Sequence, residues 1–235
     1  MSADTRDKAK TKVESEPAAS RYALVFAVEE VVVPARQAEY EALRHILEAR
    51  KAQLTPALYT RYALQREPQA YLPELLAALG LRTNSLDTMA EEVRTGINMF
   101  LASPEARPTD FSTRLIQAAC ARGMTCALRT RHTEPEVRNL LAHQEGIPAD
   151  LPVLTVDTDE AGPTWQDVVA PLQRTPAHII AVVSSQTNLQ AALAVGLHGL
   201  VVPDRFTAFQ DFSGADCVID DPSACDPADI LDWWV

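Results

Sequence analysis

The C-terminal 130 or so residues alternate short apolar runs with helix-like stretches, and this rhythm most restricts the available folds. The runs are MTCALRT (124–130), LPVLTV (151–156), HIIAVV (178–183), GLVVP (199–203) and DCVI (216–219). Stretches that read as helices lie between most of them, at 112–122, 134–144, 164–173 and 187–195. Continuous apolar runs of this length suit strands buried on both faces. Strand–helix alternation then demands a parallel sheet with crossover helices. YALVFAV (22–28) adds a strand near the N-terminus, so the expected class is α/β with a parallel sheet of about six strands.

Between that first strand and the rest, the pattern changes. RQAEYEALRHILEARKAQ carries apolar residues at Tyr40, Leu43, Ile46 and Leu47, a helical spacing. TPALYTRYALQ has a proline where a first turn tolerates one. PQAYLPELLAALG ends in a glycine stop. SLDTMAEEVRTGINMFLAS completes the set, with Ser85 as a candidate cap. The expected division is a disordered tail over 1–20, an α/β core over 21–35 and 108–235, and an inserted helical cap over 36–107, with SPEARPTD (103–110) as the return linker. A ligand of such a molecule sits where the carboxyl ends of the strands meet the insertion.

Charge excludes one class of partner. From Asp150 to Val235 there are 13 acids and two bases, Arg174 and Arg205, so this segment carries the whole net charge of −11. No basic nucleic-acid footprint is present, and no nucleic-acid partner is expected. No apolar run approaches the ~18 residues of a transmembrane helix, so no membrane partner is expected. The N-terminus lacks the apolar segment of a secretory signal. The four cysteines, Cys120, Cys126, Cys217 and Cys225, form no CxxC pair, which fits reduced thiols and a cytoplasmic location.

Three phrases, in order and at fixed spacing, resemble the haloacid dehalogenase-like (HAD) superfamily, in particular its β-phosphoglucomutase-like members with a helical cap. They are ALVFAVEEVVVPAR near the N-terminus, RGMTCALRTRHTEPEV in the middle and IIAVVSSQTNLQAALAVGLHGLVVP at 179–203. The resemblance covers roughly 22–235 and implies a Rossmann-like HAD core. It also implies a chemistry. An aspartate ending strand one attacks phosphorus, and a second aspartate two residues later moves a proton. A serine or threonine ending strand two holds the phosphoryl group, a lysine neutralises charge, and acids ending strand four hold Mg²⁺.

Residue by residue, that chemistry is largely missing. The nucleophile position is Ala27, whose methyl group can neither attack nor bind metal. The acid/base position is Glu29, one methylene longer than aspartate, and Glu30 follows where the family has glycine. The hydroxyl survives as Thr130. The lysine position aligns with Gly162, and the chain's four lysines are Lys8, Lys10, Lys12 and Lys51. The metal acids align with Val183 and Ser184. Mg²⁺ wants carboxylate oxygens in near-octahedral array, so no cofactor is expected. Glu29 is the one candidate ligand if an altered hydrolase retains the ion.

Several residues carry two readings each. Glu29 and Glu30 are either a new acid/base or metal pair, or one faces solvent while the other accepts backbone hydrogen bonds, since strand neighbours point to opposite faces. Thr130, Arg131 and His132 are either an anion site or an exposed basic loop facing the acidic C-terminal half. Ser184 and Ser185 read as caps of the following helix, and His198 as a structural corner residue. The C-terminal DWWV docks either on the chain's own core or on a partner. The expected function is a HAD-like protein that has lost phosphatase chemistry and acts by binding a protein partner, a small anion or a second copy of itself. The alternative is a HAD-type hydrolase of a small phosphorylated metabolite with a rewired site.

Overall fold

A computed structural model describes residues 21–103, 109–142, 146–156 and 165–234. The expected tail over 1–20, most of the return linker and Gly162 lie outside the described residues. Six strands form one wholly parallel sheet in the order β3-β2-β1-β4-β5-β6. They are β1 (Ala23–Ala27), β2 (Thr125–Thr130), β3 (Val153–Thr155), β4 (Ile179–Val183), β5 (His198–Val201) and β6 (Cys217–Val218). Each lies in one of the apolar runs named above, except that β5 begins one residue earlier, at His198.

Alternation along β1 splits the core in two. Leu24 and Phe26 face one side, packing with Leu115, Leu128 and Val182. Val25 and Ala27 face the other, with Ala127, Ala181, Trp165 and Leu189. Both faces are covered, which is why the strands read as unbroken apolar runs. Helices α5 (Asp110–Ala121), α6 (Glu134–Leu141), α7 (Gln166–Leu172), α8 (Gln186–Ala194) and α9 (Pro227–Leu231) accompany the strands. Trp234 docks on the core, its ring 4.7 Å from His198 and 5.8 Å from Tyr22. Trp234 therefore meets the expectation of docking on the chain's own core, whereas Trp233 stays 69% exposed.

Among the described residues, four α-helices separate β1 from α5: α1 (Ala35–Ala49), α2 (Pro56–Tyr62), α3 (Pro68–Ala78) and α4 (Leu86–Leu101). Thr55 and Ser85 cap α2 and α4 by accepting the Leu58 and Thr88 N–H groups. These helices bury a core of their own, built from Leu43, Leu47, Tyr59, Tyr71, Leu75 and Val93. Phe206, from the loop after β5, also belongs to this helical core. Its ring lies 5.3 Å from Tyr40 and 4.8 Å from Tyr59. The loop therefore anchors the helical layer to the sheet through a fully buried aromatic.

Between β1 and α1 the chain makes one wide helical turn, Val28–Val32, closed by the Val33 N–H donating to the Val28 carbonyl at 2.9 Å. Val28, Val31 and Val32 are buried and hold the turn against the core. The turn corrects one expectation. Glu29 and Glu30 do not alternate across a strand; helical rotation carries both side chains to the carboxyl ends of neighbouring strands.

Candidate functional site

The crevice lies at the carboxyl ends of β2, β1 and β4, where the order of connections reverses about β1. Ala27 ends β1, is 2% exposed and packs among apolar neighbours. Glu29 and Glu30 follow it and diverge. Glu29 turns towards β2, where it accepts from the Thr130 hydroxyl at 2.5 Å and from the Arg131 backbone N–H at 2.9 Å. Glu30 turns towards β4. It accepts from the Ser184 N–H at 2.9 Å, the Ser185 hydroxyl at 2.6 Å and the Asn188 amide at 3.0 Å. Neither glutamate faces open solvent; their side chains are 15% and 10% exposed.

Arg36, at the start of α1, completes the arrangement. Its guanidinium donates to Glu30 at 2.7 Å, to the Ser184 hydroxyl at 2.7 Å and to Asp204 at 2.6 Å. Arg36 is 9% exposed, so its pair with Glu30 is nearly dry, while Asp204 keeps partial access to solvent. Burial pushes the Glu30 carboxyl up, but Arg36, Ser184, Ser185 and Asn188 outweigh it and hold the group below the ordinary carboxylate range. Burial likewise opposes the charge on Arg36, and Glu30 and Asp204 restore it. Asp204 also organises its own turn, accepting from the Phe206 N–H at 2.7 Å. One guanidinium thus joins β1, β4, α1 and the loop that carries Phe206.

Sequence reasoning missed Arg36, Asp204 and Asn188. One signal for Arg36 was present. A cation in the first turn of a helix opposes the helix dipole, which marks PAR in VVVPARQ as a position serving something other than the helix. Nothing in the sequence pairs it with Asp204, 168 residues away.

The remaining predicted residues fall as follows. Ser185 caps α8 and accepts the Asn188 N–H at 3.4 Å, whereas Ser184 serves Arg36 instead of a helix. His198 contacts Asp216 at 3.0 Å and the Trp234 ring, a structural corner. Among the described residues, the charged partners of Arg131 and His132 lie outside the C-terminal half. Arg131 lies 3.8 Å from Glu67, just before α3, and His132 lies 3.8 Å from Glu29. Arg129 is buried with its guanidinium 4.6 Å from the Trp165 ring centre. Arg174 lies at the other end of the sheet, donating to the Arg21 carbonyl and the Thr125 hydroxyl, so it brings no cation to the crevice.

A second polar cluster adjoins the crevice from the helical side. Tyr59 and Tyr71 donate to the two oxygens of Glu39 at 2.8 and 2.9 Å. Burial pushes the Glu39 carboxyl up to about 7, against the two tyrosine hydrogen bonds that favour its charge.

These residues do not fit Mg²⁺. Ala27 offers no donor. The Glu30 carboxylate is consumed by Arg36 and three further donors, and the Ser184 hydroxyl is held by Arg36. A guanidinium placed among the acids also repels a divalent cation. Among the described residues, no group of three or more His, Cys, Asp or Glu side chains is placed to hold a metal ion. No helix among them is long and apolar enough to cross a membrane.

No family model matches the sequence, and no curated protein matches it. Solved structures do match. CbbY from Rhodobacter sphaeroides, solved in complex with phosphate, aligns with a TM-score of 0.66 at 20% identity, covering 86% of this chain and 95% of that one. A conserved haloacid dehalogenase-like protein from Agrobacterium tumefaciens aligns with a TM-score of 0.72 at 12% identity, covering 90% and 96%. A β-phosphoglucomutase from Clostridium difficile aligns with a TM-score of 0.63 at 14% identity, also covering 90% and 96%. At these identities the likeness concerns the fold: the chain has the haloacid dehalogenase-like fold along nearly its whole length.

Proposed function

We propose that this chain keeps the haloacid dehalogenase-like fold for binding and has given up phosphoryl transfer. The observation that carries the reading is the Arg36 guanidinium, paired with Glu30 and Asp204 and hydrogen-bonded to Ser184. Phosphoryl transfer depends on preorganised charges that await the substrate. Here the crevice's charges satisfy one another, and the group ending β1 is a methyl. The helical layer is also tied to the core, by Phe206 in the helical core and by Thr187 donating to Gln65 at 3.1 Å. That leaves the molecule's outer surface, such as the exposed Trp233, for a protein partner or a second copy.

One contact favours a second reading, a rewired hydrolase. Thr130 and Glu29 are 2.5 Å apart, within reach for proton transfer, so Glu29 could act as a base beside a phosphate-holding hydroxyl. The deciding assay uses purified protein with Mg²⁺ on a broad panel of phosphate monoesters, beside Glu29→Gln. Background turnover from both supports the binding reading. Turnover by the wild type that Glu29→Gln abolishes overturns it.

A further inference from the structure

The four cysteines gather on one face of the sheet. Cys126 and Cys217 are buried in the core that holds Leu24, Leu115 and Leu128, and Cys120 and Cys225 pack against it. A tight turn brings two of them together. The Gly123 N–H donates to the Cys120 carbonyl at 2.9 Å and the Met124 N–H to the Ala119 carbonyl at 3.0 Å, so the chain passes from α5 directly into β2. Gly123, at φ +70°, supplies the left-handed residue that this reversal requires. Alternation along β2 sets Cys126 and Leu128 on the α5 side of the sheet and Ala127 on the other. Cys120 lies one helical turn after the buried Ile116, on the same face of α5. The two thiols therefore meet, and the Cys120 side chain bears directly on that of Cys126. They differ in access: Cys126 is 4% exposed, whereas Cys120 is half-buried.

We propose that Cys120 and Cys126 form a dithiol modification site, which a low-molecular-weight disulfide such as oxidised glutathione converts into an intramolecular disulfide. Access fixes the order of events. Cys120 loses its proton to solvent, and its sulfur attacks one sulfur of the small disulfide. The first glutathione leaves as a thiolate and takes up a proton. Burial and the neighbouring Cys120 thiol push the Cys126 thiol up, so Cys126 does not make that first attack. It is in place for the second. The Cys126 sulfur gives up its proton and displaces the remaining glutathione from Cys120, which leaves as the second thiol. Two protein thiols are oxidised, and one small disulfide is reduced to two thiols. A reducing pool keeps the pair open, and a rise in oxidised glutathione closes it. Cys126 pairs with Leu24 near the amino ends of β2 and β1, the far end of the sheet from the crevice. This chemistry is therefore independent of whatever the crevice binds.

Disulfide mapping of the full chain tests this. Reduced, folded protein is exposed to oxidised glutathione, quenched in acid, alkylated in denaturant and digested with trypsin without reductant. Cleavage after Arg114, Arg122 and Arg129 places Cys120 in the peptide 115–122 and Cys126 in 123–129, so a disulfide is what holds the two together. A glutathione adduct on Cys120 is expected first, and the linked pair of peptides should then replace it. In Cys126→Ala the adduct on Cys120 should persist instead. Dithiothreitol should restore both free thiols. The proposal fails if Cys126 stays alkylatable once Cys120 has reacted, if Cys126 takes glutathione first, or if Cys120 links to Cys217 or Cys225. It fails also if the ratio of linked peptides to Cys120 adduct is no higher in the folded protein than in urea, because the fold then does not hold the thiols together. Should Cys126→Ala not fold, the wild-type time course decides alone.

Discussion

Arg36 and Asp204 meet at 2.6 Å across 168 residues of sequence, one at the start of α1 and the other in the loop after β5. The contact closes a chain of charge from Glu30 through Arg36 to Asp204, and it sits where the helical layer meets the sheet. The buried Glu30–Arg36 pair adds little net stability over an apolar replacement, but breaking it strands a charge.

Arg36→Ala should therefore destabilise the protein by about 3 kcal/mol, because Glu30 stays buried without its cation. Asp204→Ala should cost less, on the order of 1 kcal/mol, since Asp204 is partly solvated and Arg36 keeps Glu30. Combining Arg36→Ala with Glu30→Gln should recover part of the loss, as neighbouring sites do not add. Denaturant melts at neutral pH measure all three.

Two buried carboxyls give opposite pH dependences. Glu39 is pushed up to about 7 from an ordinary 4.5, so the folded state holds its proton longer than the unfolded chain. Its contribution is fully present below about pH 4.5 and is lost as pH rises towards 7. Glu30 is held low, so its contribution is present above 4.5 and lost as pH falls through its depressed value. Glu39→Gln should flatten the decline in stability between pH 5 and 7 and leave the acid limb intact. Glu30→Gln should do the reverse. Unfolding free energies followed from the acid limb below the ordinary 4.5 up to 7 check both signs.

Phe206→Ala should cost about 3–4 kcal/mol, the usual loss for a buried aromatic. It should also loosen one layer selectively. Amides of α1 and α2, which carry Tyr40 and Tyr59, should exchange faster, while those of β1 and β4 should keep their protection. Uniform acceleration across both layers would show that Phe206 is an ordinary core residue and not the anchor between them.

The architecture was legible because it is written in local patterns. Unbroken apolar runs at 124–130, 151–156 and 178–183 became β2, β3 and β4, since strands covered on both faces need no polar alternation. The spacing of Tyr40, Leu43 and Leu47 became the inner face of α1. Ser85 and Ser185 cap the helices they precede, because capping is settled within four residues.

The site was legible only as a set of absences. That Ala27 and Ser184 bring no carboxylate to the strand ends could be read directly from the residues. What fills the space could not, because it depends on contacts between distant segments. For Glu29 and Glu30 the sequence offers either a new acid/base or metal pair or opposite strand faces, and a single helical turn sends each to a different neighbour of β1 instead. Thr130 is 101 residues from its glutamate, and Arg36 is 168 from its second acid. Apolar periodicity is a property of one segment, so the chain displays it before it folds. A hydrogen-bond partner is a property of two segments, and it exists once the sheet has set β1 between β2 and β4 and brought their carboxyl ends together.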